Sequence, residues 1–228
     1  MEYDRLKYLL SNSGQGKVMS STNKDSEMMI SKVTAAPSKI LCVGRNYADH
    51  IEELNNATPE HMVVFHKPST SVTTTLSSFH EETLHYEAEI CFIVENETFT
   101  SVGLGLDLTK REQQSYLKSK GLPWERAKSF DGSAVFSRFV PLTDVDINDL
   151  NLELFINCVR VQKGHVNQML YSPQTILDEL KSYLTLLDGD VVMTGTPKGV
   201  GEVHQGDVFL GRLMCGDKTL IEIEWLAR

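Results

Sequence analysis

The segment HYEAEICFIVENETFTSVGLGLDL, residues 85 to 108, constrains the fold more than any other stretch of the chain. Its first half alternates with period two. Tyr86, Ala88, Ile90, Phe92 and Val94 fall on one face, and His85, Glu87, Glu89, Cys91 and Ile93 on the other. The second half alternates as well, setting Val102, Leu104, Leu106 and Leu108 against Ser101, Gly103, Gly105 and Asp107. The polar ENET between them reads as a tight turn over residues 95 to 97, so the halves are predicted to pair as an antiparallel hairpin. That register opposes Glu87 with Gly105, Glu89 with Gly103, and His85 with Asp107, all on one face.

Three carboxylates then converge over two glycines, which would leave a hollow for lack of side chains. Hard oxygen ligands around a hollow suit Mg²⁺ or Mn²⁺, and a cation removes the repulsion between adjacent carboxylates. The same Glu-x-Glu on an exposed edge strand would simply be solvated. The glycine-faced partner strand ending in Asp107 moves the reading towards a metal.

Elsewhere the pattern is β-rich. KILCVG, MVVFHKP, LNLELFINC, GDVVMTG, GDVFLGRL and KTLIEIEWL read as strands, and STSVTTTLSS as a strand or polar loop. NYADHIEEL and SPQTILDELKSYLTL read as helices. TKREQQSYLKSKG is predicted as a third, with Thr109 and Glu112 as a capping box and Gly121 as its C-terminal stop. Strands outnumber helices and turns are frequent, so the expected class is α+β and β-rich, not a doubly wound parallel sheet. Residues 1 to 37 are polar and turn-rich, and are expected to form an N-terminal appendage to a catalytic domain spanning 38 to 228.

Composition removes several functions. A net charge of −9 without a basic stripe argues against nucleic acid. No apolar run is long enough for a bilayer, so no membrane partner is expected. Cys42, Cys91, Cys158 and Cys215 are far apart and suggest neither a zinc site nor a disulfide framework, which fits a reducing cytoplasm.

Three further groups carry chemistry. Lys128, between Trp124 and Phe130, is either a snorkelling surface lysine or an ammonium aimed at a developing enolate or oxyanion. His50 and Glu53 share a helix face, as an exposed polar pair or as a base with its orienting carboxylate. GTPKGVG, residues 195 to 201, lacks the Lys-Ser/Thr of a phosphate loop. It is either a plain turn or a loop whose N–H groups, with Thr194 or Thr196, hold a carboxylate.

In their order, VGRNYADH, FHKPST, HYEAE, GLDLTKRE, GLPWERAKSFD and LLDGDVVMTGTPKGVGEV resemble the fumarylacetoacetate hydrolase family, from about Ile40 to the C-terminus. The nearest branch is the short acylpyruvase and oxaloacetate decarboxylase type. The resemblance implies a β-roll fold, a homodimer, and an active site holding Mg²⁺ or Mn²⁺. By motif, Glu87, Glu89 and Asp107 match the metal ligands, Lys128 the lysine beside the metal, and His50 with Glu53 the water-activating pair on a lid helix. Arg45, Tyr47, Lys67 and Arg111 fall in motifs near the substrate, and Thr196 in the loop that contacts its carboxylate. The chain departs from the pattern at His66, at Tyr86 and around Cys158.

The implied activity is metal-dependent cleavage of a C–C bond in a small 2-oxo acid through an enolate. An acylpyruvate would be hydrolysed, or oxaloacetate decarboxylated. The alternatives are isomerisation, decarboxylation or hydration of unsaturated 2-oxo dioic acids, and a degenerate metal-binding module without catalysis.

Overall fold

The structure is a computed structural model that describes residues 36–54 and 59–228. The expected appendage, residues 1 to 37, lies outside the described residues except for its last two positions.

Eight strands form the main sheet, in the order Val63–Pro68, Lys39–Gly44, Val191–Met193, Ala88–Glu95, Thr98–Asp107, Ala134–Phe136, Val72–Thr73, with Val140–Pro141 also paired to Thr98–Asp107. Lys39–Gly44 runs parallel to Val191–Met193, which joins the first described strand to one far along the chain. A four-stranded antiparallel sheet joins Val159–His165, Leu150–Ile156, Val208–Cys215 and Lys218–Leu226. Short strands around Glu82–Tyr86 make a third sheet. The β-rich α+β expectation holds.

Leu152, Leu154, Phe209, Leu213 and Ile221 of the second sheet pack with Ile90, Phe92, Leu104 and Leu106 of the hairpin in one buried cluster. The other face of the hairpin is covered too. Cys91 and Ile93 belong to a smaller core with Ile40, Cys42 and Met193. Burial of both faces explains why the strand stays apolar beyond Glu89 on its polar side.

The hairpin forms, in a different register. Asn96 and Glu97, at φ 49° and 59°, make a two-residue turn of the kind favoured between twisted strands, and Glu95 pairs with Thr98. A bulge then leaves Thr100 unpaired, between the pairs Val94–Phe99 and Ile93–Ser101. Turn and bulge each move the register by one residue, so Glu89 faces Gly105 and Cys91 faces Gly103. Asp107 donates its N–H to the carbonyl of Glu87 at 2.8 Å, which places these two residues across from each other. His85 pairs instead with Thr109 and Glu202, outside the carboxylate group. A one-residue slip would have turned the carboxylates to the other face; a two-residue slip keeps them together.

The glycines do not leave a hollow. A Cβ on Gly103 would stand 2.8 Å from the Phe139 ring, and one on Gly105 2.7 Å from Cys91 Sγ and 3.0 Å from Phe136. They admit neighbouring side chains.

The capping box is also absent. The helix Arg111–Ser119 starts without a side-chain cap of its own. Glu82, from a neighbouring strand, accepts from the N–H groups of Glu112 and Gln113 at 2.9 and 3.4 Å, satisfying donors that Thr109 was expected to meet. Gly121, at φ 64°, does end that helix, with Leu122 N–H returning to the Leu117 carbonyl at 2.9 Å. STSVTTTLSS splits into a 3₁₀ turn, Ser69–Ser71, and the two-residue strand Val72–Thr73.

Candidate active site

Glu87, Glu89 and Asp107 are all buried, with one carboxylate oxygen from each within 4.8 Å of the others. They stand in an open cleft lined also by Arg45, His50, Phe65, Arg111, Gln114, Lys118, Trp124, Lys128 and Thr196.

Lys128 is not a snorkelling lysine. It ends the short helix Glu125–Lys128 and is 2% exposed. Its Nζ donates to Glu87 Oε2 and Asp107 Oδ2, each at 2.8 Å, and to Thr109 Oγ1 at 2.6 Å. Burial opposes its charge, but Asp107 and Glu87 outweigh that and raise its pKa. Arg111 reaches Glu87 Oε1 at 2.5 Å and Gln114 Oε1 at 2.8 Å.

Lys67 lies behind the group. It is wholly buried, with Nζ 2.8 Å from Asp107 Oδ1 and donating to Ser133 O, Ser133 Oγ and the Lys128 carbonyl. Four acceptors surround three N–H bonds, so Lys67 braces Asp107 and Lys128 and has no donor left for a substrate. Tyr47 is likewise no cleft residue. It is 3% exposed and pairs with Met169, and its hydroxyl has no hydrogen-bond partner among the described residues. Burial and the nearby charge of Glu89 raise its pKa.

The three carboxylates have unequal surroundings. Glu87 stays well below the usual carboxylate range: burial opposes its charge, yet Lys128 and Arg111 overcome it. Glu89 is pushed well above that range by burial and by the charges of Asp107 and Glu87. Among the described residues its hydrogen-bond donor is the N–H of Gly195, at 2.6 Å from Oε2. A cation bound beside Glu89 would displace a proton from it.

The loop 195–201 does hold carboxylates, but they belong to the chain. Gly195 N–H binds Glu89, and Gly199 N–H binds Glu53 Oε1 at 2.9 Å. Glu53 Oε2 lies 3.0 Å from His50 Nδ1, on the helix Ala48–Glu53. His50 is buried and faces the cleft, while Glu53 is exposed at its edge. Thr194 is spent on the Ile90 carbonyl at 2.8 Å, which leaves Thr196 as the loop hydroxyl at the cleft.

Two residues that carry this arrangement escaped sequence reasoning. Gln162 is 1% exposed, accepts from Ala88 N–H at 3.0 Å, and donates to Thr196 Oγ1 and the Pro197 carbonyl, both at 2.8 Å. Asn46 donates to the carbonyls of Tyr171 and Thr194 and accepts from Tyr171 N–H, fixing the turn after Arg45. Asn46 lay inside the motif VGRNYADH without being singled out, and Gln162, between Val161 and Lys163, carried no signal of its own.

The chain matches the family described as "Fumarylacetoacetate (FAA) hydrolase C-terminal" over residues 39–225. It belongs to the fumarylacetoacetate hydrolase family. It is 38% identical to Oxaloacetate tautomerase FAHD1, mitochondrial, of Bos taurus, over 74% of this chain and 83% of that protein. Oxaloacetate tautomerase YcgM of Escherichia coli K12 is 35% identical over 75% of this chain and 85% of its own length. Fumarylpyruvate hydrolase from Pseudomonas aeruginosa, solved with Mn²⁺ and pyruvate, superposes with a TM-score of 0.76 at 28% identity, covering 84% of this chain and 89% of that one. Among the described residues no helix is long and apolar enough to cross a membrane.

Proposed function

We propose that this chain is a divalent-metal-dependent enzyme that takes small 2-oxo acids through an enolate and cleaves a C–C bond, by hydrolysis of an acylpyruvate or decarboxylation of oxaloacetate. The observation that carries this is the buried convergence of Glu87, Glu89 and Asp107 in a cleft otherwise rich in cations. The set fits Mg²⁺ or Mn²⁺: its donors are hard oxygens, and Glu89 is held in a position where its charge is disfavoured until a cation arrives. Bound there, such an ion would supply Lewis acidity to the 2-oxo carbonyl.

The chain's own groups would do the rest. Lys128, fixed by three acceptors, sets a permanent positive charge beside the oxygen on which negative charge develops. With Nδ1 directed at Glu53, His50 keeps Nε2 as the base for a water proton or for a C3 proton. Glu53, held by Gly199, orients that ring as a positioning residue. Thr196 Oγ1 accepts from Gln162 and donates only a long bond, 3.4 Å, to the Pro197 carbonyl, so its hydrogen would turn to a substrate carboxylate at little cost. Decarboxylation needs no water attack, so it depends less on His50 than hydrolysis does.

The names of the two relatives favour a second reading, keto–enol exchange of oxaloacetate, in which His50 only moves a proton. One experiment separates the two. Oxaloacetate and an acylpyruvate are incubated with Mg²⁺ or Mn²⁺, with and without chelator, while pyruvate release and enol absorbance are followed together. Cation-dependent pyruvate release supports cleavage. Enol decay without pyruvate supports the tautomerase. No effect on either refutes both and leaves the degenerate module.

The remaining expectations belong to the same reading. They are a homodimer in a cytoplasmic setting, with residues 38–228 as the catalytic unit and residues 1–37 as an appendage.

A further inference from the structure

The loop 195–201 lies along the strand Val159–His165, and three contacts fix its position there. At one end Gly199 comes so close that a Cβ on it would fall 1.9 Å from the Val161 carbonyl oxygen. In the middle, Gln162 holds Thr196 Oγ1 and the Pro197 carbonyl. At the other end the buried ring of Pro197 fills the space that Gly164 leaves by having no side chain. A Cβ on Gly164 would stand 2.8 Å from Pro197 Cγ, 2.9 Å from its Cβ and 3.2 Å from the Tyr47 hydroxyl.

Nothing around that point yields easily. Gly164 is buried and pairs with Leu152, a residue of the main core. Proline is a rigid ring with a fixed φ. Tyr47 is buried and leads directly into the helix Ala48–Glu53, with its carbonyl accepting from the Ile51 N–H at 3.1 Å. A close-packed interior passes a misfit on to the next group instead of absorbing it. The next groups here face the cleft. Thr196 adjoins Pro197, and His50 follows Tyr47 by about one helical turn.

We infer that Gly164 is a positioning residue. By leaving room for Pro197 and Tyr47 it sets where Thr196 and His50 stand, from a strand that, among the described residues, supplies nothing to the cleft lining. This rests on the reading above, in which a 2-oxo acid places its carboxylate at Thr196. A side chain at 164 would push the loop away from the strand and the tyrosine away from the loop. Misplacing a substrate-holding group by about 1 Å can cost roughly a hundredfold in rate, so a shift of a fraction of that is enough to matter.

The test is calorimetric binding of pyruvate to the full chain loaded with Mn²⁺, after Mn²⁺ affinity has been measured for each variant. Gly164→Ala should weaken pyruvate binding about tenfold or more and leave Mn²⁺ affinity within about twofold, since the three carboxylates come from the hairpin. Pro197→Gly removes the ring that the added methyl meets. The double variant should therefore bind pyruvate more tightly than Gly164→Ala alone, which a general loss of stability would not produce. Pro197→Gly by itself adds no bulk and loosens the same contact from the loop side. It should weaken pyruvate binding with Mn²⁺ affinity intact, and it decides the matter if Gly164→Ala does not fold. Unchanged pyruvate affinity in either single variant, Mn²⁺ affinity falling in step with it, or a double variant no tighter than Gly164→Ala would overturn the positioning role. A wild-type chain that binds Mn²⁺ and ignores pyruvate would instead sink the 2-oxo acid reading, and the role of Gly164 with it, before any variant is made.

Discussion

Replacing Lys67 by methionine separates a buried brace from a substrate contact. Methionine keeps the apolar stem and removes the ammonium, so packing around the wholly buried side chain changes little. What is lost is electrostatic. Asp107 Oδ1 loses its cation at 2.8 Å, and the carbonyls of Lys128 and Ser133 each lose one donor, keeping the Ser133 hydroxyl and the Leu108 N–H. Removing one member of a buried ion pair costs about 3–5 kcal/mol, because the other charge stays behind. For a chain of this size each kcal/mol lowers the melting midpoint by about 2–4 °C, so the expected fall is roughly 6–20 °C. The assay is thermal unfolding in chelator, repeated in Mn²⁺. The deficit should shrink with the ion, which supplies positive charge to the same carboxylate. A loss below about 1 kcal/mol, combined with a raised KM and an unchanged kcat, would refute the brace and make Lys67 a substrate contact.

Glu89→Gln should abolish specific Mn²⁺ binding and change how ion-free stability depends on pH. The folded pKa of Glu89 is raised, so its contribution is complete below the unfolded carboxylate range and is lost as pH rises through the folded value. Melting midpoints in chelator should therefore favour the variant increasingly with rising pH; parallel curves would contradict this. Asp190 works in the opposite sense. Burial opposes its charge, but Lys39, Ser38 and the Leu187 N–H prevail and lower its pKa. Its contribution is present above the unfolded aspartate range and fades as pH falls. Asp190→Ala should cost about 2–3 kcal/mol at neutral pH, a gap that narrows in acid, as measured by denaturant titration. Gln162→Ala should lower kcat/KM about tenfold or more by releasing Thr196, with Gln162→Glu failing to rescue because it cannot donate. Full activity in either variant would remove Gln162 from the positioning of the loop.

The carboxylate group was legible because alternation alone sorts a strand into faces. The predicted hairpin missed both the two-residue turn and the bulge at Thr100, and the errors combined to an even number, so the face survived. What alternation does not encode is what fills the space opposite. Gly103 and Gly105 looked like a hollow, yet they accommodate Phe139, Phe136 and Cys91, which come from distant or cross-strand positions. The hydrogen-bond partners of the loop 195–201 were hidden for the same reason. Its N–H groups were expected to bind an external carboxylate, but Glu89 and Glu53 reach them through tertiary contacts more than a hundred residues away in sequence. Lys67 and Tyr47 carried a motif resemblance that marks proximity to the site without saying which side of the wall they occupy. Both stand behind the wall of the cleft, whereas Arg111 and Thr196 line it.

The central claim is that Glu87, Glu89 and Asp107 together hold one divalent cation to which a 2-oxo acid end is drawn. Electron paramagnetic resonance of Mn²⁺ titrated into the chain tests it most directly. The account predicts one bound ion per chain, a spectrum altered by added pyruvate, and loss of both in Glu89→Ala and Asp107→Ala. Binding that survives in those variants, or a bound ion whose spectrum ignores pyruvate, would contradict it.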